Sequence, residues 1–273
     1  MGIKMPFVSE IAPDTFVINE FGLAAMYLVV GEKRALLVDT GCGVSDVKGL
    51  VERLTDKPYD VFLTHGHLDH AGGVGAFDKI YASERDFEMI RSVKAEELRN
   101  YCDNLGKQGG YDVFDYSPDM VKEITKFPEM INVDDGYVFD LGGRTLTVIA
   151  VSGHTPGGLA LLDEKNRILI SGDCANVNPL ALWGTVEEMK KGFEKLKNIS
   201  DKFDQNWNGH VGYAGMPFIC SQPKTVIDDL IHICDLILEG KAKATESNFL
   251  GRTVTGVNYG AARLVYDPNH IRK

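Results

Sequence analysis

The apolar run Val61-Phe62-Leu63 leads through Thr64 into His65-Gly66-His67-Leu68-Asp69-His70, so three of the seven histidines fall within six residues at the end of a strand-like segment. Imidazoles and a carboxylate packed this densely cannot sink unpaired into an apolar core, because each dry, unsatisfied polar group costs about 1–3 kcal/mol. They belong at the edge of a sheet, where loops converge and can share a partner. His154, Asp173 and His210 repeat the pattern farther along, each directly after a glycine. All of these side chains are able to bind a metal ion.

The rest of the chain supplies the sheets such loops require. Thr15–Asn19, Ala24–Val30, Ala35–Asp39, Asp60–Thr64 and Lys79–Ala82 read as strands, with helices over Val44–Leu54 and Asp69–Ala76. From Ile131 the strand pattern resumes, with Tyr137–Asp140, Thr145–Val151, Leu159–Leu162 and Arg167–Ser171. Val186–Ile199 and Thr225–Leu238 read as helices, and Thr253–Val265 as a final hairpin. Two strand-then-helix halves predict an α/β (α+β) chain built as a four-layer αββα sandwich, one domain over residues 1–273. Between the halves, about 84–130, a stripe of Phe87, Ile90, Val93 and Leu98 marks a helical insertion rich in aromatic residues. That insertion is expected to act either as a lid, with Tyr101, Tyr111 and Phe114 against substrate, or as a homodimer interface.

Composition narrows the function. Lys+Arg 29 against Asp+Glu 39 gives a formal net charge of −10, which argues against nucleic acid as a partner and for a small-molecule substrate. No apolar run approaches membrane-spanning length, so no membrane partner is expected. The five cysteines are scattered, with no C-x-x-C pair and no sign of a disulfide framework. The start of the chain lacks the apolar core of a secretory signal, and a cytoplasmic location is expected.

Histidine and carboxylate together suit zinc, with iron or manganese as alternatives. On an extended loop His65 and His67 point the same way, whereas Asp69 and His70 face a neighbouring point. Two adjacent metal positions follow, with His154 placed to complete the first, His210 the second, and Asp173 to bridge them. Two ions about 3.5–4 Å apart ionise a shared water and polarise a carbonyl or phosphoryl oxygen. The implied chemistry is hydrolysis by a metal-bridging hydroxide, without a side-chain nucleophile. Cys174 accordingly reads as a small buried residue, His232 as a partly buried helix residue and His270 as a solvated one. Asn176 and Tyr213 are placed to reach substrate or to serve in turns and packing. Trp183 and Trp207 read as packing residues, one of them near the pocket mouth.

These residues resemble the metallo-β-lactamase superfamily. The resemblance is carried by Val38-Asp39-Thr40-Gly41, by Thr64 to Gly73 around the histidine cluster, by Gly153-His154-Thr155-Pro156-Gly157, by Ser171-Gly172-Asp173 and by Gly209-His210. It implies an αββα sandwich with a dinuclear site at its edge and two zinc ions per chain. The first ion would be held by His65, His67 and His154 and the second by Asp69, His70 and His210, with Asp173 bridging. Asp69 and Asp173 would also take part in catalysis, and Asp39 would steady the histidine loop from behind. Acyl-homoserine lactonases carry a tyrosine three residues after the bridging aspartate, where this chain has Asn176; flavodiiron proteins have glutamate where His67 stands. The expectation is a stand-alone hydrolase of a thioester, ester or lactone. The alternatives are a phosphodiesterase, a mono-iron persulfide-dioxygenase-like oxidoreductase and a ligand-binding protein without turnover.

Overall fold

The computed structural model describes residues 2–210, 220–249 and 251–273. Its first half is a seven-stranded sheet formed by β1 (Phe7–Ala12), β2 (Thr15–Glu20), β3 (Ala24–Val30), β4 (Ala35–Val38), β5 (Tyr59–Phe62), β6 (Lys79–Ala82) and β7 (Glu129–Asn132), in that spatial order. Pairing is antiparallel from β1 to β4 and parallel from β4 to β7. The second sheet contains β8 (Val138–Asp140), β9 (Thr145–Ala150), β10 (Leu159–Asp163) and β11 (Ile168–Gly172), with β13 (Gln205–Asn208) parallel to β11 at its edge. A third sheet, of which only the final hairpin is expected from the sequence, joins β12 (Leu180–Ala181) to β14 (Thr245–Phe249), β15 (Arg252–Tyr259) and β16 (Ala262–Tyr266).

The burial of β3 shows why these segments stack in layers. All seven of its residues are buried, as expected for a strand covered on both faces. Ala25, Tyr27 and Val29 face the second sheet, where they meet Leu146, Leu161 and Ile170. Met26, Leu28 and Val30 face outward into a cluster beneath the helices. That outer layer includes α1 (Val47–Leu54), capped by Asp46, and the one-turn α2 (Leu68–Ala71). On the far side α6 (Val186–Asn198) and α7 (Val226–Leu238) cover the second sheet. α6 starts at a full capping box between Thr185 and Glu188, which fixes the chain just after Trp183. The result is the expected αββα sandwich.

Residues between β6 and β7 form α3 (Phe87–Arg91), α4 (Ala95–Leu105) and the short α5 (Tyr111–Val113). Ile90, Val93 and Leu98 turn inward onto the outer face of the first sheet. Full burial of a side chain of that size stabilises by about 1.5–3 kcal/mol. The apolar stripe is therefore spent on the chain's own core, which removes it as a dimer surface. Phe114 also sits in the core, edge-on to Phe21 with ring centres 6.0 Å apart. Tyr111 leans on Tyr116, away from the pocket described below. Of the three aromatic residues expected to face substrate, only Tyr101 lines that pocket.

At the other end of the sandwich Arg144 is buried. Its guanidinium pairs with Asp163 (Nε to Oδ2, 2.9 Å) and donates to Asp14 O and Thr15 Oγ1, tying the second sheet to the start of β2.

Candidate metal centre

Five strand ends deliver the site. The loop after β4 carries Asp39, the loop after β5 carries His65 to His70, and the loop after β9 carries His154. Asp173 directly follows β11, and His210 lies two residues beyond β13. Gly172 makes the approach possible. It adopts φ +51°, and a Cβ there would stand 2.5 Å from Thr64 Oγ1, between the carboxylate strand and the histidine loop.

The side chains converge in three overlapping groups: His65, His67 and His154; His65, His70 and Asp173; and Asp69, His70 and His210. Within each group the candidate donor atoms lie within 4.8 Å of one another. His154 Nε2 is 3.7 Å from Asp173 Oδ2, and His70 Nε2 is 3.7 Å from Asp173 Oδ1. His210 Nε2 approaches Asp173 Oδ2 at 3.0 Å and Asp69 Oδ2 at 3.4 Å. Asp173 thus stands between the two sets.

The outer ring nitrogens are held from behind. His70 Nδ1 meets Asp39 Oδ2 at 2.9 Å, His65 Nδ1 meets Thr64 Oγ1 at 3.0 Å, and His154 Nδ1 meets Leu180 O at 2.9 Å. Each contact turns Nε2 into the cavity. There the Nε2 atoms of His65, His67, His70 and His154, together with Asp173 Oδ1, are buried without any hydrogen-bond partner. The large majority of buried polar atoms are paired in folded proteins, so a cluster of orphaned lone-pair donors fits a cation site. Imidazole nitrogens and carboxylate oxygens at this spacing fit divalent metal.

Protonation divides the two sets. Burial, assisted by the neighbouring imidazoles, holds His65 well below its ordinary value; burial and His154 lower His67 to about 3, and burial lowers His154. These rings are neutral near pH 7 and offer lone pairs. Burial also opposes charge on His70, yet Asp69, Asp173 and Asp39 raise it well above the usual imidazole value. His210 is likewise raised, because Asp173 and Asp69 outweigh its burial. Burial works against ionised Asp173, but His210 and His70 hold its carboxyl well below the ordinary range.

A pocket of about 190 Å³ opens over the cluster. One wall is apolar: Leu68, Pro179, Leu180, Trp183 and Phe249. Trp183 packs on His67 with ring centres 4.2 Å apart. Tyr101 reaches in from α4 and donates to Asp69 Oδ2 at 2.9 Å. Asn176 and Asn178 also line the pocket. Tyr213 lies outside the described residues. Trp207 is buried between the sheets, whereas His232 is exposed on α7 with its ring centre 4.0 Å from that of Tyr259. Cys174 Sγ points at Ser171 O, and burial pushes its thiol pKa up, which leaves it inert.

Sequence reasoning did not single out Leu180, Phe249 or Asn178 as pocket residues, since nothing local marks them. It also missed Asp86, whose carboxylate is enclosed by the site loops.

The αββα layers and this edge cluster define a metallo-β-lactamase fold. The sequence profile described as "Metallo-beta-lactamase superfamily" matches residues 20–219, and the chain belongs to that superfamily. Among curated relatives it is 28% identical over 176 residues to the human (Homo sapiens) acyl-coenzyme A thioesterase MBLAC2, a match covering 59% of this chain and 61% of that protein. It is 26% identical over 200 residues to an atrochrysone carboxyl ACP thioesterase of Aspergillus fumigatus, covering 71% of this chain and 50% of the relative. The chain thus spans less than two thirds of these relatives' length. Among solved structures, the sec-alkylsulfatase Pisa1 from Pseudomonas sp. superposes with a TM-score of 0.63 at 15% identity, covering 86% of this chain and 42% of that one.

Proposed function

We propose that the chain is a metal-dependent hydrolase of acyl thioesters, with His65, His67 and His154 holding one divalent ion, Asp69, His70 and His210 a second, and Asp173 shared between them. The observation that carries the substrate class is the pocket wall. Leu68, Leu180, Trp183 and Phe249 present apolar surface beside the orphaned donors, and no lysine or arginine is among the described residues lining the cavity. A phosphodiester would bring a fixed negative charge that the bound ions alone would have to meet, with no lysine or arginine among the described lining residues to hold its outer oxygens. A neutral acyl carbonyl brings none, and its chain gains about 25 cal/mol per Å2 of apolar surface removed from water. The thioesterases among the relatives support the same class.

Divalent ions bound here would polarise the scissile carbonyl and supply a water ionised near neutral pH. The protein's own groups do the rest. Trp183 and Leu180 hold the acyl chain so that its carbonyl faces the cluster. Asp69, oriented by the Tyr101 hydroxyl, would align that water toward the carbonyl. Asp173 keeps the two ligand sets at one separation. Zinc is the favoured occupant of so nitrogen-rich a set.

The test is thiol release from acyl-coenzyme A and acyl-pantetheine substrates of graded chain length, run beside bis(p-nitrophenyl) phosphate with metal-replete enzyme. Turnover of thioesters at least about a hundredfold faster than of the phosphodiester is expected. The reverse order would overturn the assignment, as would turnover that persists undiminished in His67→Ala.

A further inference from the structure

Asp86 lies in the first turn of the segment leading into α3, far from either ligand set in sequence, and it is 1% exposed. Its Oδ2 accepts from Gly66 N at 2.9 Å and from Thr155 Oγ1 at 2.6 Å, and its Oδ1 accepts from Gly157 N at 2.7 Å. Gly66 separates His65 from His67, and Thr155 follows His154. One carboxylate therefore ties together the two loops that carry His65, His67 and His154. No other described side chain hydrogen-bonds to both loops.

The packing around it is closed. A Cβ on Gly157 would stand 2.6 Å from Asp86 Cγ, and one on Gly66 would stand 3.1 Å from Asp86 Cβ. Gly157 is needed for its loop to come this close, and Gly66 leaves its own loop little slack. The neighbouring Arg85 adds a contact from Nη1 to Ser152 Oγ at 3.3 Å, on the same His154 loop. Bonds from backbone N–H groups to a carboxylate are charge-assisted and about twice as strong as neutral ones.

We propose that Asp86 is a positioning residue for the His65–His67–His154 metal position, setting the separation of its two loops. It touches neither substrate nor the site's donor atoms and acts through Gly66, Thr155 and Gly157. The inference rests on the ligand assignment proposed above. In Asp86→Asn one acceptor becomes a donor facing an N–H or O–H, so the clamp opens while volume is kept. Thr155→Val removes only the hydroxyl contact, and Thr155→Ser restores it.

The experiment titrates metal-stripped protein with zinc against a chromophoric chelator, for the wild type, D86N, T155V and T155S, and for D86N on a His67→Ala background. D86N is expected to weaken one of two bound equivalents by roughly 10- to 100-fold and leave the other near wild type. T155V should weaken the same equivalent by a smaller factor, and T155S should match wild type. On the His67→Ala background, where that position is already lost, D86N should change nothing further. If D86N fails to fold, the T155V and T155S pair decides. Unchanged affinity in D86N or T155V, or equal weakening of both equivalents, overturns the proposal. A wild-type protein that binds no zinc overturns the ligand assignment itself, and the inference with it.

Discussion

The hydroxyl of Tyr101, carried on α4, donates to Oδ2 of Asp69 across 2.9 Å, and that same oxygen faces His210 Nε2 at 3.4 Å. The helical segment between β6 and β7 thereby reaches the centre of the site through one side chain. Leu98 and Cys102, buried on either side of Tyr101, hold its helix against the first sheet. Burial, reinforced by Asp69, raises the Tyr101 pKa well above its usual value, so the phenol remains a donor across the working pH range.

Tyr101→Phe removes this bond and little volume. Hydrogen bonds to charged groups are worth about 1.5–3 kcal/mol, and part of that is spent orienting Asp69. A roughly tenfold fall in kcat with little change in KM is expected. Tyr101→Ala, which also opens the pocket wall, should raise KM as well. Steady-state kinetics of the two variants on one thioester separates the roles, and a KM effect in the Phe variant as large as that on kcat would contradict them.

Asp39 holds the second ligand set in the same indirect way. It adopts φ +62°, a left-handed conformation that Asp and Asn tolerate better than other side chains. From there it accepts from Thr64 N at 2.7 Å and faces His70 Nδ1 at 2.9 Å. Asp39→Asn suits the backbone but can turn a donor toward His70 Nδ1, favouring the tautomer that protonates Nε2 and removes its lone pair. Zinc affinity at the Asp69–His70–His210 position should fall roughly 10- to 100-fold. Asp39→Ala should lose comparable affinity and also melt earlier, since its backbone pays about 1–2 kcal/mol of strain. Chelator competition and thermal melting of both variants check the pair, and equal melting temperatures would remove the strain argument.

Far from the site, Arg144→Ala strands Asp163 in the interior without its guanidinium. Removing one partner of a buried ion pair costs about 3–5 kcal/mol, and here the carbonyl of Asp14 and the hydroxyl of Thr15 lose their donor too. Urea unfolding should show that loss with metal binding unchanged. A destabilisation below about 1 kcal/mol would place the pair among those of no net worth.

The site was legible in the sequence wherever ligand-type residues sit next to glycine at a strand end. His65 to His70, His154, Asp173 and His210 all announce themselves through local chemistry, and the structure brings all of them together. The unbroken apolar run of β3 and the strand-then-helix order of the two halves likewise pointed to covered sheets. Asp86 was illegible because an acidic residue among Ser83, Glu84 and Arg85 reads as solvated; only the tertiary fold makes its neighbours the backbones of two distant loops. The stripe of Ile90, Val93 and Leu98 has helical period, but period alone does not say whether the covering surface is the chain's own sheet or another copy. β13 and β14 escaped notice because Gln205–Asn208 and Thr245–Phe249 are largely polar, and strand pairing rather than apolar alternation defines them.

Proton release should distinguish the two metal positions. His65, His67 and His154 are already neutral at pH 7, with His67 lowered to about 3 by burial and His154. Metal entering there displaces no imidazole proton, so affinity should be nearly flat between about pH 6.5 and 8. His70 and His210 are raised by their carboxylate neighbours against the effect of burial, so in the metal-free chain they hold their protons more tightly than the first set does. Metal entering the second set must expel them, so its affinity should climb by up to about tenfold per pH unit for each proton displaced. Stability of the metal-free fold follows the same signs. The raised pair contributes stability that is fully present below the ordinary imidazole value of 6.5 and is lost as pH rises through the raised values. The depressed set contributes stability present above 6.5 and lost as pH falls, for His67 toward about 3. Calorimetric zinc titration in buffers of differing ionisation enthalpy counts the protons directly. Equal release at both positions would refute the division of charge between them.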